Sequence, residues 1–333
     1  MTRTTRLGAV LGAPVALAAA WLAYSRWGID HALPLPPALP VEQVTCDSAA
    51  AGRIACYVDR RGTGVPLVLV HSINAGASAY EMRPLFLTYQ GRRPLYAPDL
   101  PGFGFAERGD RDYTPELYAA ALRDLLAQIA PPADVVALSL SSEFAARVAR
   151  DHPELIRSLV LISPTGFNRV RSANRVQATA ERGRSAQVRR VLLWPLWSQA
   201  IFDLLASRAS IRYFLRQSFI GAVDAGLVDY AYRTTHQPGA RFAPFSFVSG
   251  RLFTPDAVTT LYRRVQQPTL VLYDRDAFVR FDRLPELLAE RPNWQARRIV
   301  PTRGLPHWEQ TEAVVAQLER FWSMLDERAP QAP

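Results

Sequence analysis

Ser139 stands where a strand-like run gives way to a helix-like one. Asp134 to Leu138 is apolar after its first residue, and it runs into Ala137-Leu138-Ser139-Leu140-Ser141-Ser142. A sharp strand-to-helix turn at this point would lift the Ser139 hydroxyl above a sheet edge, provided the residues two before and two after it are small. Ala137 and Ser141 meet that condition. The plainer reading of the segment is a Ser-rich helix N-cap. A serine hydroxyl is a poor nucleophile at neutral pH. It needs a histidine to take its proton and a carboxylate to hold that imidazole in the right tautomer. The sequence has five histidines. His31 lies in a Pro-rich stretch, His71 ends a strand, His152 precedes Pro153, and His236 lies in a helical middle section. His307 alone follows the last strand, which makes it the base by position. Asp274 and Asp276 both follow the preceding strand and are both open as the carboxylate.

The elements around these residues alternate. Pro66 to His71 is a continuous apolar run, as in a strand buried on both faces. A helical stretch spans Ser78 to Tyr89, and a short strand from Pro94 ends at Asp99. Thr114 is a good N-cap with Pro115 at the first helical position. Strand Asp134 to Leu138, helix Ser142 to Arg150 and strand Arg157 to Ser163 follow. From Pro164 to Gln267 the alternation gives way to Arg-rich and aromatic-rich helical sequence, interrupted at Pro195. It resumes with strand Pro268 to Tyr273, helix Leu284 to Glu290, strand Gln295 to Val300 and helix Glu312 to Leu325. Such alternation predicts an α/β fold with a mostly parallel sheet wrapped by helices. The tail after Arg328 is Pro/Ala-rich and reads as loose.

The chain has 333 residues and a formal net charge of +9, and every basic side chain is Arg. That charge suits an anionic surface, but no nucleic-acid recognition motif accompanies it. Arg3 and Arg6 precede a charge-free run from Leu7 to Tyr24. The run reads as a signal anchor near the lower length limit of a bilayer span, or as a signal peptide cleaved near Ala18-Ala19-Ala20. Either way, the body is expected outside the cytoplasm. Residues 28–42 carry four prolines, Pro34, Pro36, Pro37 and Pro40, and read as an extended linker. Cys46 and Cys56, the only cysteines, flank an expected turn at Ser48 to Gly52 and either pair across a hairpin or stay as separate thiols.

Several segments together resemble the α/β-hydrolase family, from about Ile54 to Trp322. Leu67-Val68-Leu69-Val70-His71-Ser72 resembles that family's strand ending in His-Gly, and Asp99-Leu100-Pro101-Gly102-Phe103-Gly104 matches its D-x-P-G-x-G loop. Asp276-Ala277-Phe278-Val279 resembles the loop that carries the acid, and Leu305-Pro306-His307-Trp308 the segment that carries the histidine. The resemblance implies a core of residues 43–163 and 268–328 with a helical cap over 164–267. It implies Ser139 as nucleophile, Asp276 as acid and His307 as base, and the amides of Ile73 and Leu140 as the oxyanion hole. It also implies a carboxylic ester substrate, apolar in its acyl part, with no metal or organic cofactor. The cap aromatics Trp194, Trp197, Phe202, Tyr213, Phe214 and Phe219 would line a pocket or simply pack the cap.

Two departures from the family stand out. Its segment usually reads G-H-x-P-H with the first histidine catalytic, whereas Arg303-Gly304-Leu305-Pro306-His307 has only the second. Either a deletion has moved His307 into the catalytic position or the base is missing. Ser72 replaces the glycine after His71. A non-catalytic relative that keeps the fold for binding at a membrane, and an acyltransferase or carbon–carbon bond hydrolase using the same triad, are the competing expectations.

Overall fold

A computed structural model of the chain describes residues 4–129, 132–169 and 175–328. Eight strands form one sheet in the order β1-β2-β4-β3-β5-β6-β7-β8. They are β1 (Glu42–Ser48), β2 (Gly52–Asp59), β3 (Leu67–Val70), β4 (Leu95–Asp99), β5 (Ala133–Leu138), β6 (Ile156–Ile162), β7 (Thr269–Arg275) and β8 (Trp294–Arg303). β1 and β2 form an antiparallel hairpin, and β2 runs antiparallel to β4. Every pairing from β4 through β3 to β8 is parallel. The C-terminal ends of β3, β5, β6, β7 and β8 therefore share one sheet edge, where an open α/β sheet presents its ligand site.

β3 and β5 are buried along their whole length, which explains their uninterrupted apolar sequence. The helices covering the sheet are α2 (Arg83–Tyr89), α3 (Pro115–Gln128) and α4 (Ser141–Asp151), then α11 (Leu284–Glu290), α12 (Pro306–Glu309) and α13 (Thr311–Arg328). Tyr118, Leu122 and Phe144 belong to one apolar layer, and Phe86, Tyr89, Val314 and Trp322 to a second. Thr114 caps α3 as expected, its Oγ1 accepting the Leu117 amide at 3.2 Å. Between β6 and β7 the chain forms α5 (Arg175–Leu192), α6 (Ser198–Leu205), α7 (Arg208–Arg216), α8 (Ala225–Thr235), α9 (Phe242–Val248) and α10 (Ala257–Thr260). Pro195 falls in the break between α5 and α6.

At the opposite sheet edge the carboxylate of Asp134 is fully buried. It accepts Arg157 Nε at 2.8 Å, Arg157 Nη2 at 2.7 Å and Ser158 Oγ at 2.6 Å, and it pairs with Arg93. These bonds tie β5 to β6 and to the turn before β4.

The N-terminal segment differs from its expectation in two respects. α1 (Thr4–Gly28) is a helix, but among the described residues no helix is long and apolar enough to cross a membrane. The expected bilayer span is therefore not shown, and residues 1–3, with Arg3, lie outside the described residues. The Pro-rich stretch, expected as an extended linker, is strapped to the body. Ala38 and Leu39 are core residues, and the Ala38 amide donates to Tyr57 Oη at 2.9 Å. Leu33 N donates to His236 O at 3.2 Å and Tyr230 Oη to Pro36 O at 3.0 Å. Upstream, Trp21 Nε1 donates to Ala200 O at 3.0 Å. Ser25 Oγ and His31 Nε2 donate to the buried Asp203 carboxylate at 2.6 and 3.0 Å.

Cys46 and Cys56 are free thiols. The β1–β2 hairpin pairs Cys46 with Ile54 and Cys56 with Val44, so neither cysteine stands directly opposite the other. The tail after Arg328 lies outside the described residues.

Candidate active site

Ser139 sits on the turn between β5 and α4 with φ +53°, in the left-handed region. A residue with a Cβ is held there at a cost of about 1–2 kcal/mol, so the surrounding bonds must impose it. They do. The Ser139 amide donates to Ile162 O at 2.8 Å, and its carbonyl accepts the Ser142 amide at 3.1 Å. Ser141, one of the two small residues where the family pattern has glycine, is fully buried, and its Oγ donates to His71 O at 2.5 Å. The substitution thus bonds the Ser139 turn to the exit of β3. Ser139 remains partly exposed, and its own hydroxyl has no hydrogen-bond partner among the described residues.

The loop leaving β3 is pinned from several sides. His71 accepts the Leu100 amide on Nε2 at 2.9 Å and donates from Nδ1 to Ser72 O at 2.6 Å. Burial holds its pKa down to about 4, so the ring is neutral. The Ser72 amide donates to Glu81 Oε2 at 2.8 Å, and Asn74 Nδ2 donates to Ser72 Oγ at 2.8 Å and Glu81 Oε1 at 2.6 Å. Ser72 is therefore fully bonded despite replacing a glycine. The amides of Ile73 and Leu140, the expected oxyanion donors, have no hydrogen-bond acceptor among the described residues. The D-x-P-G-x-G loop has a steric explanation. Asp99 accepts the Ala79 and Phe105 amides, and a Cβ on Gly104 would stand 1.9–2.1 Å from that carboxylate.

Asp276 follows β7. Its Oδ1 accepts the amides of Phe278 at 2.7 Å and Val279 at 3.0 Å, while Oδ2 has no partner among the described residues. Burial raises its pKa, and the two amides and the Arg303 charge oppose that rise. Asp274, the other carboxylate left open by the sequence, is occupied structurally. It accepts Arg298 Nη2 at 2.5 Å and the Thr302 amide at 3.1 Å.

His307 is not joined to Ser139 or Asp276 by any hydrogen bond among the described residues. It lies in α12, fully buried, and its Nε2 donates to Glu81 O at 2.9 Å. Burial holds its pKa down to about 4, and Nδ1 has no partner. The base expected at His307 is thus not assembled in this geometry. The expectation rested on a deletion bringing His307 into the catalytic position, and the ring is instead bonded to Glu81 O. Pro306-His307 begins α12, and Gly304 takes the place two residues before Pro306. The Gly304 amide donates at 2.9 Å to the carbonyl of Arg275, the residue before Asp276. Gly304 has φ +62°, and a Cβ there would stand 3.1 Å from Ser218 Cβ of the insertion.

The sequence reading missed Glu81 and Glu309. The Glu309 carboxylate accepts the Arg303 amide at 2.6 Å, the Ile220 amide at 2.6 Å and the Gly221 amide at 3.2 Å. It bonds the exit of β8 to the segment of the insertion that faces Gly304. Neither glutamate had a sequence signal: the Glu309 carboxylate accepts backbone amides, and that of Glu81 accepts one backbone amide and the Asn74 side chain.

Among known proteins, the chain is 33% identical over 110 residues to a 2-hydroxymuconate semialdehyde hydrolase of a Pseudomonas species, a match covering 32% of this chain and 39% of that protein. It is 38% identical over 181 residues to an esterase of Mycobacterium tuberculosis, covering 48% of this chain and 59% of that protein. The chain thus spans roughly half the length of these curated relatives, from 39% to 59%. The solved structure of a bacterial membrane phospholipase A is similar in fold, with a TM-score of 0.64 and 18% identity, covering 98% of this chain and 99% of that one. The sequence pattern described as the alpha/beta hydrolase family matches residues 67–317, about three quarters of the chain, and the chain belongs to that family.

Proposed function

We propose that the chain cleaves a carboxylic ester through an acyl-enzyme on Ser139. In this reading the amides of Ile73 and Leu140 hold the oxyanion, and Asp276 is the carboxylate of the centre. The observation that carries it is Ser139 at φ +53°, its hydroxyl without a partner among the described residues, where the amides of Leu140 and Ile73 likewise have no acceptor. Strain of this kind persists where the surrounding structure imposes it, and it clusters at reacting groups. The relatives act, by their names, on esters and on other bonds. An ester is favoured here because no imidazole is bonded to Ser139 to protonate a leaving group. The substrate class narrows further to esters whose alcohol is acidic enough to depart as an anion, aryl esters above all. In the triad implied by sequence, His307 would take the serine proton, but its ring is held on Glu81 O. As Ser139 Oγ bonds the acyl carbon, its proton therefore passes to solvent beside the partly exposed hydroxyl. The aryl oxide departs, and water then breaks the acyl-enzyme to release the acid.

The second reading is a binding protein that has kept the fold without the turnover. Gly304 next to Asp276, with His307 bonded elsewhere, favours it. Fluorophosphonate labelling separates the two readings. Labelling of wild type that vanishes in Ser139→Ala supports the hydrolase. No labelling of the folded protein, even at high probe concentration, leaves the binding reading.

The N-terminal helix is assigned to a membrane surface in this proposal. Residues 14–20 of α1 are exposed, and Tyr24 and Trp27 are exposed after them. Exposed apolar helix flanked by aromatics suits a bilayer interface. Flotation of the full chain with anionic vesicles, lost on deleting residues 1–20, is the expected result, and equal flotation of both proteins refutes the assignment.

A further inference from the structure

We propose that His307 is a positioning residue for the loop that presents the Ile73 amide, acting through Glu81, and not the proton carrier of the centre. The proposal rests on the reading of Ser139 as nucleophile. Two donors from α12 converge on one acceptor. His307 Nε2 and Trp308 Nε1 donate to Glu81 O at 2.9 and 2.7 Å. A carbonyl oxygen has two lone pairs, so both bonds are satisfied together. Because the acceptor is a carbonyl, the His307 proton must sit on Nε2. Nδ1 then carries the lone pair, and it is buried without a partner. A triad needs the opposite tautomer, with Nδ1–H toward the carboxylate and Nε2 free for the serine proton.

The side chain of Glu81 points to the other end of the same unit. Oε2 accepts the Ser72 amide and Oε1 accepts Asn74 Nδ2. Asn74 Oδ1 in turn accepts the Gly76 amide at 2.8 Å. Ile73 lies between two residues fixed by one carboxylate. Its amide is aimed by neighbours that cannot shift unless Glu81 shifts, and α12 holds the Glu81 backbone in place. His307, Glu81, Ser72 and Ile73 are buried, and Asn74, Gly76 and Trp308 are half-buried. Buried bonds of this kind do not exchange with water, so the loop geometry is fixed before substrate arrives. Glu81 is an unusual buried acid, and desolvation raises its pKa against the bonds from Ser72 and Asn74. The loop position it fixes gives that burial a use.

The test compares full-length wild type with His307→Gln, His307→Ala, Trp308→Phe and Glu81→Gln. It reads kcat and KM on an aryl ester and hydrogen exchange of the segment 71–76. A Gln side chain can donate to Glu81 O but cannot accept a proton at neutral pH. His307→Ala is expected to lower kcat about tenfold to a hundredfold with KM nearly unchanged, as for a displaced oxyanion donor. It should also speed exchange across 71–76. His307→Gln restores both, Glu81→Gln reproduces the loss, and Trp308→Phe gives a smaller loss of the same kind. His307→Gln as inactive as His307→Ala, with wild-type exchange, overturns the proposal and makes the ring the proton carrier. Unchanged exchange across 71–76 in a folded His307→Ala protein overturns it as well. If wild type hydrolyses no ester, the proposed activity fails on its own, and the exchange measurement still decides whether His307 fixes the loop.

Discussion

Replacing Gly304 with histidine sets the rate gained from a base beside Asp276 against the stability lost in holding it. The backbone at 304 has φ +62°, where a side chain costs about 1–2 kcal/mol. The new Cβ would stand 3.1 Å from Ser218 Cβ and 3.3 Å from Ser218 Cα and Oγ. Crowding of that degree in a packed region costs about 1–3 kcal/mol. Gly304→His alone is therefore expected to lose about 2–5 kcal/mol, a large part of the roughly 5–15 kcal/mol that holds a domain folded. Adding Ser218→Gly removes two of the three contacts and should recover most of the crowding. A positioned general base raises a rate by about 10²- to 10⁴-fold. Urea unfolding followed by tryptophan fluorescence reads the stability. Fluorophosphonate labelling and aryl ester turnover read the chemistry. The double variant should label faster by that factor, and the gain should disappear when Asp276→Asn is added. A folded double variant that labels at the wild-type rate refutes the argument that position 304 is where the centre lacks its base.

Other consequences can be checked separately. Ser139→Gly should abolish labelling and yet stabilise the fold by about 1 kcal/mol, because glycine accepts φ +53°, whereas Ser139→Ala should abolish labelling at unchanged stability. Asp134→Ala leaves Arg93 and Arg157 without their shared carboxylate and should lower the unfolding free energy by about 3–5 kcal/mol in a urea titration. His71 and His307 are both buried with pKa values near 4, against an ordinary 6.5. Their contribution is complete above pH 6.5 and is lost as pH falls toward 4, because the unfolded chain binds the protons first. Each histidine adds a slope of about 1.4 kcal/mol per pH unit in that window. The buried acids Glu81, Asp99 and Glu143, with raised pKa values, act in the opposite sense there. His307→Gln should therefore flatten the measured slope by one proton, and an unchanged slope would show that the ring is not buried neutral.

Much of the scaffold was legible in the sequence. The continuous apolar runs of β3 and β5 announced strands covered on both faces, and Thr114-Pro115 marked the start of α3 to the residue. The Ser139 turn was readable because its small flanking residues have a steric reason. What escaped was bonding between side chains and backbone carbonyls or amides, which leaves no pattern in residue type. Nothing in the residue pattern singled out Glu81 or Glu309. His307 read as a base because it follows the last strand, and only its contact with Glu81 O tells it from one. The prolines between residues 34 and 40 suggested an open linker, but a proline-rich strand of chain can also lie flat in a groove and bond through its carbonyls. Pro34 and Pro36 do so with Arg233 and Tyr230.

The attachments of α1 divide that helix at a definite residue. Residues 14–20 are exposed, and among the described residues the first hydrogen bond to the body is made by Trp21, directly after Ala18-Ala19-Ala20. A cut after Ala20 would pass through the exposed stretch 14–20 and leave the bonds of Trp21, Ser25 and His31 intact. A cut only eight residues later, at Gly28, would take away Trp21 and Ser25 and uncover the buried face of α6. The same apolar segment therefore holds a half that the folded body does without, free for the membrane surface, and a half that the body needs. Truncations made for expression should be expected to fail or succeed according to the side of Trp21 on which they fall.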